Sequence, residues 1–333
     1  MKNVFNGILR ILVKIALHLF YRKIYVSGKE NIPKNVPIIL VANHQNALID
    51  PLLIATHTRL NPWFLTRASV FKNPVIAKIL HFIRMLPVYR VRDGFSTITQ
   101  NQRTFEATFE VLKQNGTVVI FAEGSHSHNR NVRPLSKGFT RMAFGLKEKY
   151  PDLNPVILPT ALEFSAHKKS GSIVRMKFGN PIPVDMPHSQ SGQLTKKVEK
   201  TLKSIVVEIP QENYNQTLQE LIIAGVDVTS REAVDQYLQS GTVAHPIDTP
   251  SALPNKVMKI FHFPLYWIWL GLKPKIEDHV FYSTFKFLIG FFLAPLWYFI
   301  LWIAILESSW GSWALAFFMM GIFSLFWNKN PQE

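Results

Sequence analysis

The stretch Pro37–Ala55 reads PIILVANHQNALIDPLLIA and decides the fold of this chain. It begins as a nearly all-apolar run, typical of a buried strand, and continues after a polar break into an apolar helical run. A strand that feeds a helix is the repeating unit of α/β proteins, and reactive groups lie where such strands end. His44 stands just past the predicted strand, and Asp50 follows within the first turns of the predicted helix. The stretch therefore predicts both an α/β fold and the place of its functional site.

The same alternation of strand and helix extends from about residue 24 to residue 182. Seven short apolar runs are strand candidates: Ile24–Ser27, Pro37–Ala42, Trp63–Leu65, Pro87–Val91, Thr117–Ala122, Pro155–Pro159 and Val174–Phe178. Helical spacing of apolar residues marks one helix from Ile98 to Leu112 and another from Leu194 to Ile205. The predicted fold class is α/β, with a mixed sheet covered by helices over residues 24–208.

Both ends of the chain carry membrane signals. Residues 1–23 predict an amphipathic helix that lies in a bilayer interface with its cations toward lipid phosphates, or else packs on the domain. Residues 209–256 predict a helical extension and linker, and residues 257–333 a membrane hairpin. Leu288–Leu306 and Trp310–Trp327 hold 19 and 18 residues without charge, close to the roughly 20 that span a bilayer. Pro295 keeps open a re-entrant hairpin as the alternative.

Lysines are distributed unevenly around this predicted hairpin. Lys273, Lys275 and Lys286 precede it and Lys329 follows it, whereas the connecting turn holds only an acidic residue. The positive-inside rule therefore predicts that both outer ends lie in the cytoplasm, and the domain at the cytoplasmic face of the inner (plasma) membrane.

Composition narrows the classes of function. A net charge of +15 predicts anionic partners, which leaves nucleic acid, anionic lipids and phosphorylated substrates. No zinc-finger spacing, RNP signature or long basic run supports nucleic acid. The sequence has no Cys, which excludes a thiolate nucleophile, and no G-x-S-x-G elbow, which argues against a serine hydrolase.

Four blocks in the predicted domain resemble the glycerolipid acyltransferases, the family of the phosphatidic-acid-forming and glycerol-3-phosphate acyltransferases. The blocks occur in order as Asn43-His44 through Asp50, Leu86 to Arg90, Phe121 to Ser125, and Val156 to Thr160. Five residues separate His44 from Asp50, where the family box has four. The extra residue requires a looser turn if the carboxylate is to reach the imidazole, and a similar spacing is found in fungal-type glycerol-3-phosphate acyltransferases.

The resemblance implies a role for each site residue. His44 is the implied general base and Asp50 its partner, and the chemistry agrees because a carboxylate fixes the imidazole tautomer while the substrate supplies the nucleophile. The implied acceptor-binding residues are Arg67, Arg90, Glu123, Gly124, Ser125 and Lys137. Arg92 and Arg133 are interpreted as solvated surface charges, and His126-x-His128 as a surface turn without a third metal ligand.

The resemblance predicts an acyltransferase that uses acyl-CoA or acyl-carrier protein as donor substrate, with no cofactor and no metal. Its expected partners are membrane lipids and a phosphorylated glycerol or lysophospholipid acceptor. Three readings stay open: a lysophosphatidate-type acyltransferase, a glycerol-3-phosphate or other lipid acyltransferase, and an inactive module that binds anionic lipid.

Overall fold

The computed structural model describes residues 2–89, 97–247, 253–307 and 311–327. The strands are β1 (Lys23–Ser27), β2 (Ile38–Ala42), β3 (Trp63–Arg67), β4 (Met85–Val88), β5 (Thr117–Ile120), β6 (Val156–Phe164), β7 (Ile173–Phe178) and β8 (Ile182–Pro183). The α-helices are α1 (Lys2–Phe20), α2 (Ile49–His57), α3 (Pro74–Phe82), α4 (Thr97–Lys113), α5 (Gly138–Lys149), α6 (Ser191–Ile205), α7 (Tyr214–Ile223), α8 (Arg231–Ser240), α9 (Leu253–Phe261), α10 (Phe263–Leu272), α11 (Tyr282–Glu307) and α12 (Gly311–Phe326).

Within the described ranges the strands form a mixed sheet in the order β1-β7-β6-β2-β5-β3-β4, with β8 paired to the start of β6. The four strands β2, β5, β3 and β4 are mutually parallel, and β6 runs parallel to β2 but antiparallel to β7. The predicted α/β class and its mixed sheet are confirmed. Because β2, β5, β3 and β4 point the same way, their carboxyl ends meet at one edge of the sheet.

The core lies on both faces of this sheet. Ile39 and Val41 of β2 face a cluster that includes residues of α4, α5 and α6, whereas Ile38 and Leu40 face a cluster that includes residues of α1, α2 and α11. Alternation along a strand explains the division, since successive side chains point to opposite faces. Helices thus cover both faces, which is why the strand sequences are apolar without a polar side.

The N-terminal helix α1 packs on the domain by one side only. Val13 and Leu17 are buried in the core beside α2, while Val4, Ile11 and Leu12 are at least half exposed. The expectation that the cations of this helix face lipid is wrong for Arg10. Its guanidinium donates to the carbonyl oxygens of Thr58 and Leu60, at 3.1 and 2.9 Å.

The polar stretch after α6 is more structured than a linker. Helices α7 and α8 enclose a small apolar cluster that contains Val207, Leu221, Val226 and Val234. The two short helices predicted for this region are present, and part of the predicted connector, residues 248–252, lies outside the described residues.

The C-terminal region contains α9 and α10, which the sequence analysis did not identify, before α11. Among the described residues one helical segment, His279–Glu307, is long and apolar enough to cross a membrane. The second predicted span corresponds to α12, which has 16 residues and is shorter. Helices α11 and α12 are in contact, with the rings of Tyr298 and Phe318 5.3 Å apart.

Candidate active site

The candidate site begins where β2 ends in the middle of the sheet. Asn43, the first residue after the strand, exchanges two hydrogen bonds with the backbone of Leu162 in β6, at 3.0 and 2.8 Å. The buried Asn43 side chain thus continues the hydrogen bonding between β2 and β6 beyond the last residue of β2. His44 therefore starts its loop from a fixed backbone position.

Asp50 lies in the first turn of α2, and its side chain is fully buried. Its Oδ2 atom is 2.8 Å from Nδ1 of His44 and accepts the backbone N–H groups of Gln45 and Asn46 at 2.9 and 2.8 Å. A carboxylate near a helix N-terminus is stabilised further by the helix dipole. The predicted contact between Asp50 and the imidazole is confirmed.

A tight turn accommodates the extra residue between His44 and Asp50. The carbonyl of Asn46 accepts hydrogen bonds from the N–H groups of Ile49 and Asp50, at 2.8 and 3.3 Å. Ala47 has a φ of 29°, a region that residues other than glycine seldom adopt. The chain thus turns before α2 begins, as the spacing requires.

The imidazole of His44 has a second nitrogen, Nε2, which is not bound to Asp50. Because a carboxylate only accepts, Nδ1 of His44 carries the proton and Nε2 is the basic nitrogen. Nε2 has no hydrogen-bond partner within the described ranges, and the side chain is 16% exposed. The ring stacks on Phe121, with centroids 4.0 Å apart, and meets the ring of His126 edge-on at 5.3 Å. The imidazole is held on one side and accessible at Nε2.

Glu123 follows β5, the strand next to β2, so the third block reaches the same edge. Its carboxylate accepts N–H groups from the side chain of Arg133 at 2.7 and 3.1 Å and from the Arg133 backbone at 3.3 Å. Burial raises the pKa of Glu123 above its usual range, and the guanidinium of Arg133 opposes that shift.

Arg133 is a site residue that the sequence analysis missed. Its guanidinium also donates to Oγ of Ser125 at 2.7 Å and to the Ser125 carbonyl. The interpretation of Arg133 as a solvated surface charge is wrong, since three of its nitrogen atoms are bound within the block that contains Glu123. Arg133 thus brings a guanidinium to this block from further along the chain.

Three of the remaining predicted site residues, Gly124, Lys137 and Arg67, are among the described residues. Gly124 turns the chain with a φ of +74°, and the N–H of Ser136, next to Lys137, bonds to Ala122 at 2.8 Å. Lys137 is exposed at the start of α5, and Arg67 is exposed at the carboxyl end of β3. Arg90, together with Arg92, lies outside the described residues.

The surface-turn interpretation of His126 and His128 is also wrong. Nδ1 of His126 lies 3.6 Å from a carboxylate oxygen of Asp278, and its ring meets Phe281 at 5.3 Å. Burial and the neighbouring His44 lower the pKa of His126. The ring of His128 stacks on His167 at 4.8 Å. In the part of the chain that the structure describes, no group of three residues could hold a metal ion.

Residues 23–163 match the family described as Acyltransferase, a range that contains His44, Asp50 and Glu123. This match covers all four blocks, so the resemblance to the acyltransferases is confirmed.

Among its curated relatives, glycerol-3-phosphate O-acyltransferase 2 of Saccharomyces cerevisiae is 22% identical over 63% of this chain and 45% of the relative. The 1-acyl-sn-glycerol-3-phosphate acyltransferase of Borreliella burgdorferi is 29% identical over 40% of this chain and 52% of the relative. The chain thus spans about half the length of these relatives. A solved structure of the 1-acyl-sn-glycerophosphate (LPA) acyltransferase PlsC from Thermotoga maritima aligns with a TM-score of 0.47 and 24% identity, over 61% of this chain and 78% of that chain.

Proposed function

We propose that this protein transfers a fatty acyl group from an acyl thioester to a hydroxyl group of a phosphorylated glycerol or lysophospholipid. One observation carries the proposal: Nδ1 of His44 is bound to Asp50 at 2.8 Å, while Nε2 has no hydrogen-bond partner among the described residues and the side chain is 16% exposed. A base oriented in this way can activate a hydroxyl that belongs to the substrate. The absence of Cys from the sequence agrees with a mechanism in which the enzyme forms no thioester of its own.

The proposed reaction has two proton transfers, and both pass through Nε2 of His44. Nε2 takes the proton of the acceptor hydroxyl as its oxygen attacks the thioester carbonyl, and Asp50 stabilises the resulting imidazolium. When the tetrahedral intermediate collapses, the C–S bond breaks and the leaving thiolate receives the proton from Nε2. The products are an ester and a free thiol, and His44 returns to its starting state.

The acceptor phosphate is proposed to bind cations of the four blocks and of the residues that flank them. We assign Arg90, Arg67 and Lys137 to this role, with Glu123, Gly124 and Ser125 near the glycerol end. Arg133 joins them because its guanidinium is fixed beside Ser125: four of its five N–H donors bind Glu123 and Ser125, and the remaining donor on Nη1 can bind a phosphate oxygen.

Two acceptors are candidates, and the spacing of the first block favours glycerol-3-phosphate. Five residues lie between His44 and Asp50, a spacing that resembles the fungal-type glycerol-3-phosphate acyltransferases. The Saccharomyces cerevisiae relative that aligns over 63% of this chain bears that name. A lysophosphatidate is the second candidate, because the Borreliella burgdorferi relative is named for 1-acyl-sn-glycerol-3-phosphate.

The protein is assigned to the cytoplasmic face of a membrane, where its acyl substrates are located. Segment His279–Glu307 has the length and composition of a membrane-spanning helix, and only 6% of its apolar 18-residue stretch is buried. Exposed apolar side chains of α1 and α3 lie next to each other, since the rings of Phe5 and Phe82 are 5.2 Å apart. We propose that α11 anchors the protein and that α1 and α3 rest in the interface.

The test is an acyl-transfer assay on the purified full-length chain. Acyl-CoA and acyl-carrier protein serve as donors, each against glycerol-3-phosphate, lysophosphatidate and other lysophospholipids, with products identified by mass spectrometry. We expect ester formation with a phosphorylated acceptor, greatest with glycerol-3-phosphate. A preference for lysophosphatidate would favour the second candidate acceptor. If no donor and acceptor pair gives an ester but the protein binds anionic vesicles, the chain is the inactive lipid-binding module.

A further inference from the structure

The start of α11 touches the loop that separates His44 from Asp50. Oγ1 of Thr284 accepts the backbone N–H of Leu48 at 3.3 Å, and Oγ of Ser283 donates to the carbonyl oxygen of His167. Ser283 is 1% exposed and Thr284 6%, so both hydroxyl groups are shielded from solvent. The membrane-anchor candidate therefore begins in contact with a loop of the candidate active site.

His167 connects the same loop to α11 from a second direction. Its ring Nε2 lies 3.1 Å from Oε1 of Gln45, and its carbonyl oxygen accepts the side-chain amide of Asn46 at 3.1 Å. That carbonyl also accepts the hydroxyl of Ser283, so one buried oxygen joins the loop to the helix. Gln45, Asn46 and Leu48 are each held by groups outside the loop.

The first turns of α11 are themselves firmly placed. Nζ of Lys286 donates to the carbonyl of Lys168 at 2.6 Å and lies over the ring of Trp269 at 4.8 Å. Phe287 is 2% exposed and packs on Phe20 of α1, with ring centroids 5.8 Å apart. A helix end fixed in this way can act as a rigid support for a loop that it touches.

The loop needs such support because of its conformation. Ala47 adopts a φ of 29°, which costs free energy for a residue with a Cβ and persists only where the surroundings hold it. The N–H of Leu48 follows directly, and without Thr284 this part-buried donor would lose its partner. A change in the turn at Ala47 would alter the approach of Asp50 to His44.

We propose that Ser283 and Thr284 are positioning residues that hold the 45–48 loop so that Asp50 meets the imidazole of His44. They act through the loop and do not touch the substrate. The proposal rests on the acyltransferase function proposed above, and it assigns to the C-terminal helix a part in catalysis in addition to membrane attachment.

The experiment compares Thr284→Val, which keeps the shape and loses the acceptor, with Thr284→Ser, which keeps the hydroxyl. Thr201→Val is the matched control, because Thr201 is partly exposed on α6 and its hydroxyl bonds within its own helix. The full-length proteins are assayed in detergent micelles for kcat, acceptor KM and the pH dependence of kcat/KM. Melting curves establish that each variant is folded.

We expect Thr284→Val to lower kcat about tenfold, the effect of losing about 1.4 kcal/mol of transition-state stabilisation, and to leave the acceptor KM within about twofold. The acid limb of the pH profile should shift, because the His44–Asp50 contact is loosened. Thr284→Ser should retain most of the kcat, and Thr201→Val should match the parent. Ser283→Ala should give a loss of the same kind and is the second variant if Thr284→Val fails to fold.

A separate readout does not depend on turnover. The proton on Nδ1 of His44, shared with Asp50, should give a downfield NMR resonance that His44→Ala removes, and Thr284→Val should broaden or shift it. If wild type transfers no acyl group but the resonance responds to Thr284→Val, the proposed function fails and the positioning role stands. If wild type is active and Thr284→Val leaves kcat, the pH profile and the resonance unchanged, the positioning role is overturned. Equal losses in Thr284→Val and Thr284→Ser would also overturn it.

Discussion

Oδ2 of Asp50 lies 2.8 Å from Nδ1 of His44 and also accepts the N–H groups of Gln45 and Asn46, so one oxygen atom fixes the imidazole and the loop beside it. The proposed mechanism gives Asp50 two tasks that a neutral side chain cannot combine. It must accept three hydrogen bonds at one atom, and it must stabilise positive charge on the imidazole during proton transfer.

We therefore expect Asp50→Asn to lower kcat by at least about 10²-fold, because the amide stabilises the imidazolium poorly and can favour the wrong tautomer. The measurement is steady-state kinetics together with a thermal melt that verifies folding. Asp152→Asn, at an exposed position, is the control for loss of a carboxylate. A folded Asp50→Asn variant with nearly full kcat would remove Asp50 from the mechanism.

Arg133 should prove important for the phosphorylated acceptor. We expect Arg133→Gln to raise the acceptor KM about tenfold, since one charge-assisted contact contributes roughly 1.5–3 kcal/mol at most. The pKa of Glu123 should rise further in this variant, because the guanidinium that opposes the effect of burial is gone. Arg133→Lys keeps the positive charge but not the planar guanidinium, so its acceptor KM should lie between those of wild type and Arg133→Gln.

The control for this experiment is Arg141→Gln, which removes an exposed arginine from α5. An unchanged acceptor KM in a folded Arg133→Gln variant would limit Arg133 to a structural role beside Glu123.

Much of the fold could be predicted from the sequence, because apolar runs of strand length require burial on both faces of a sheet. The contact between His44 and Asp50 was also predictable, since the two residues are close in the chain. The contacts of Arg133 and Thr284 could not be predicted, because each joins residues that are distant in the chain. Arg133 lies ten residues after its partner Glu123, and Thr284 lies 236 residues after its partner Leu48. No local period or spacing signals such a contact. Helix α10 was missed because it is apolar all round, so it shows no amphipathic period.

Acid should weaken the contact between α1 and α2. Nε2 of His57 lies 3.3 Å from Nε2 of His18, and burial, His18 and Lys14 lower the pKa of His57 to about 4. In the unfolded chain His57 takes up a proton below a pH of about 6.5, whereas in the folded chain it takes up a proton only near pH 4. Between these two pH values protonation of His57 therefore favours the unfolded chain, and the more so as the pH falls. We expect His57→Gln to reduce the loss of melting temperature between pH 7 and pH 5.

His245→Gln, at an exposed position, is the control for the removal of a histidine. Equal acid sensitivity in wild type, His57→Gln and His245→Gln would contradict the assignment to His57.

The anchor role of α11 can be tested by washing membranes with alkaline carbonate, which strips peripheral proteins. We expect the full-length protein to stay with the membrane. Leu296 and Ile300 are 54% and 49% exposed on α11, so arginines at these positions would face lipid. Each arginine would raise the free energy of membrane insertion by roughly 2.5–3.5 kcal/mol near the bilayer centre. The double variant Leu296→Arg and Ile300→Arg should be extracted, and the surface variant Ser240→Arg should not. Release of the wild-type protein would show that α11 is not an anchor.

The most direct test of the account is the rate of acyl transfer by His44→Ala in the full-length protein, with product ester measured by mass spectrometry. General-base catalysis contributes roughly 10²–10⁴-fold, and we expect a loss in that range with folding and membrane association unchanged. His245→Ala, at an exposed histidine, should keep the parental rate. Retention of more than about half of the activity by a folded His44→Ala protein would contradict the proposal that His44 is the base, since a lost base should cost at least about 10²-fold.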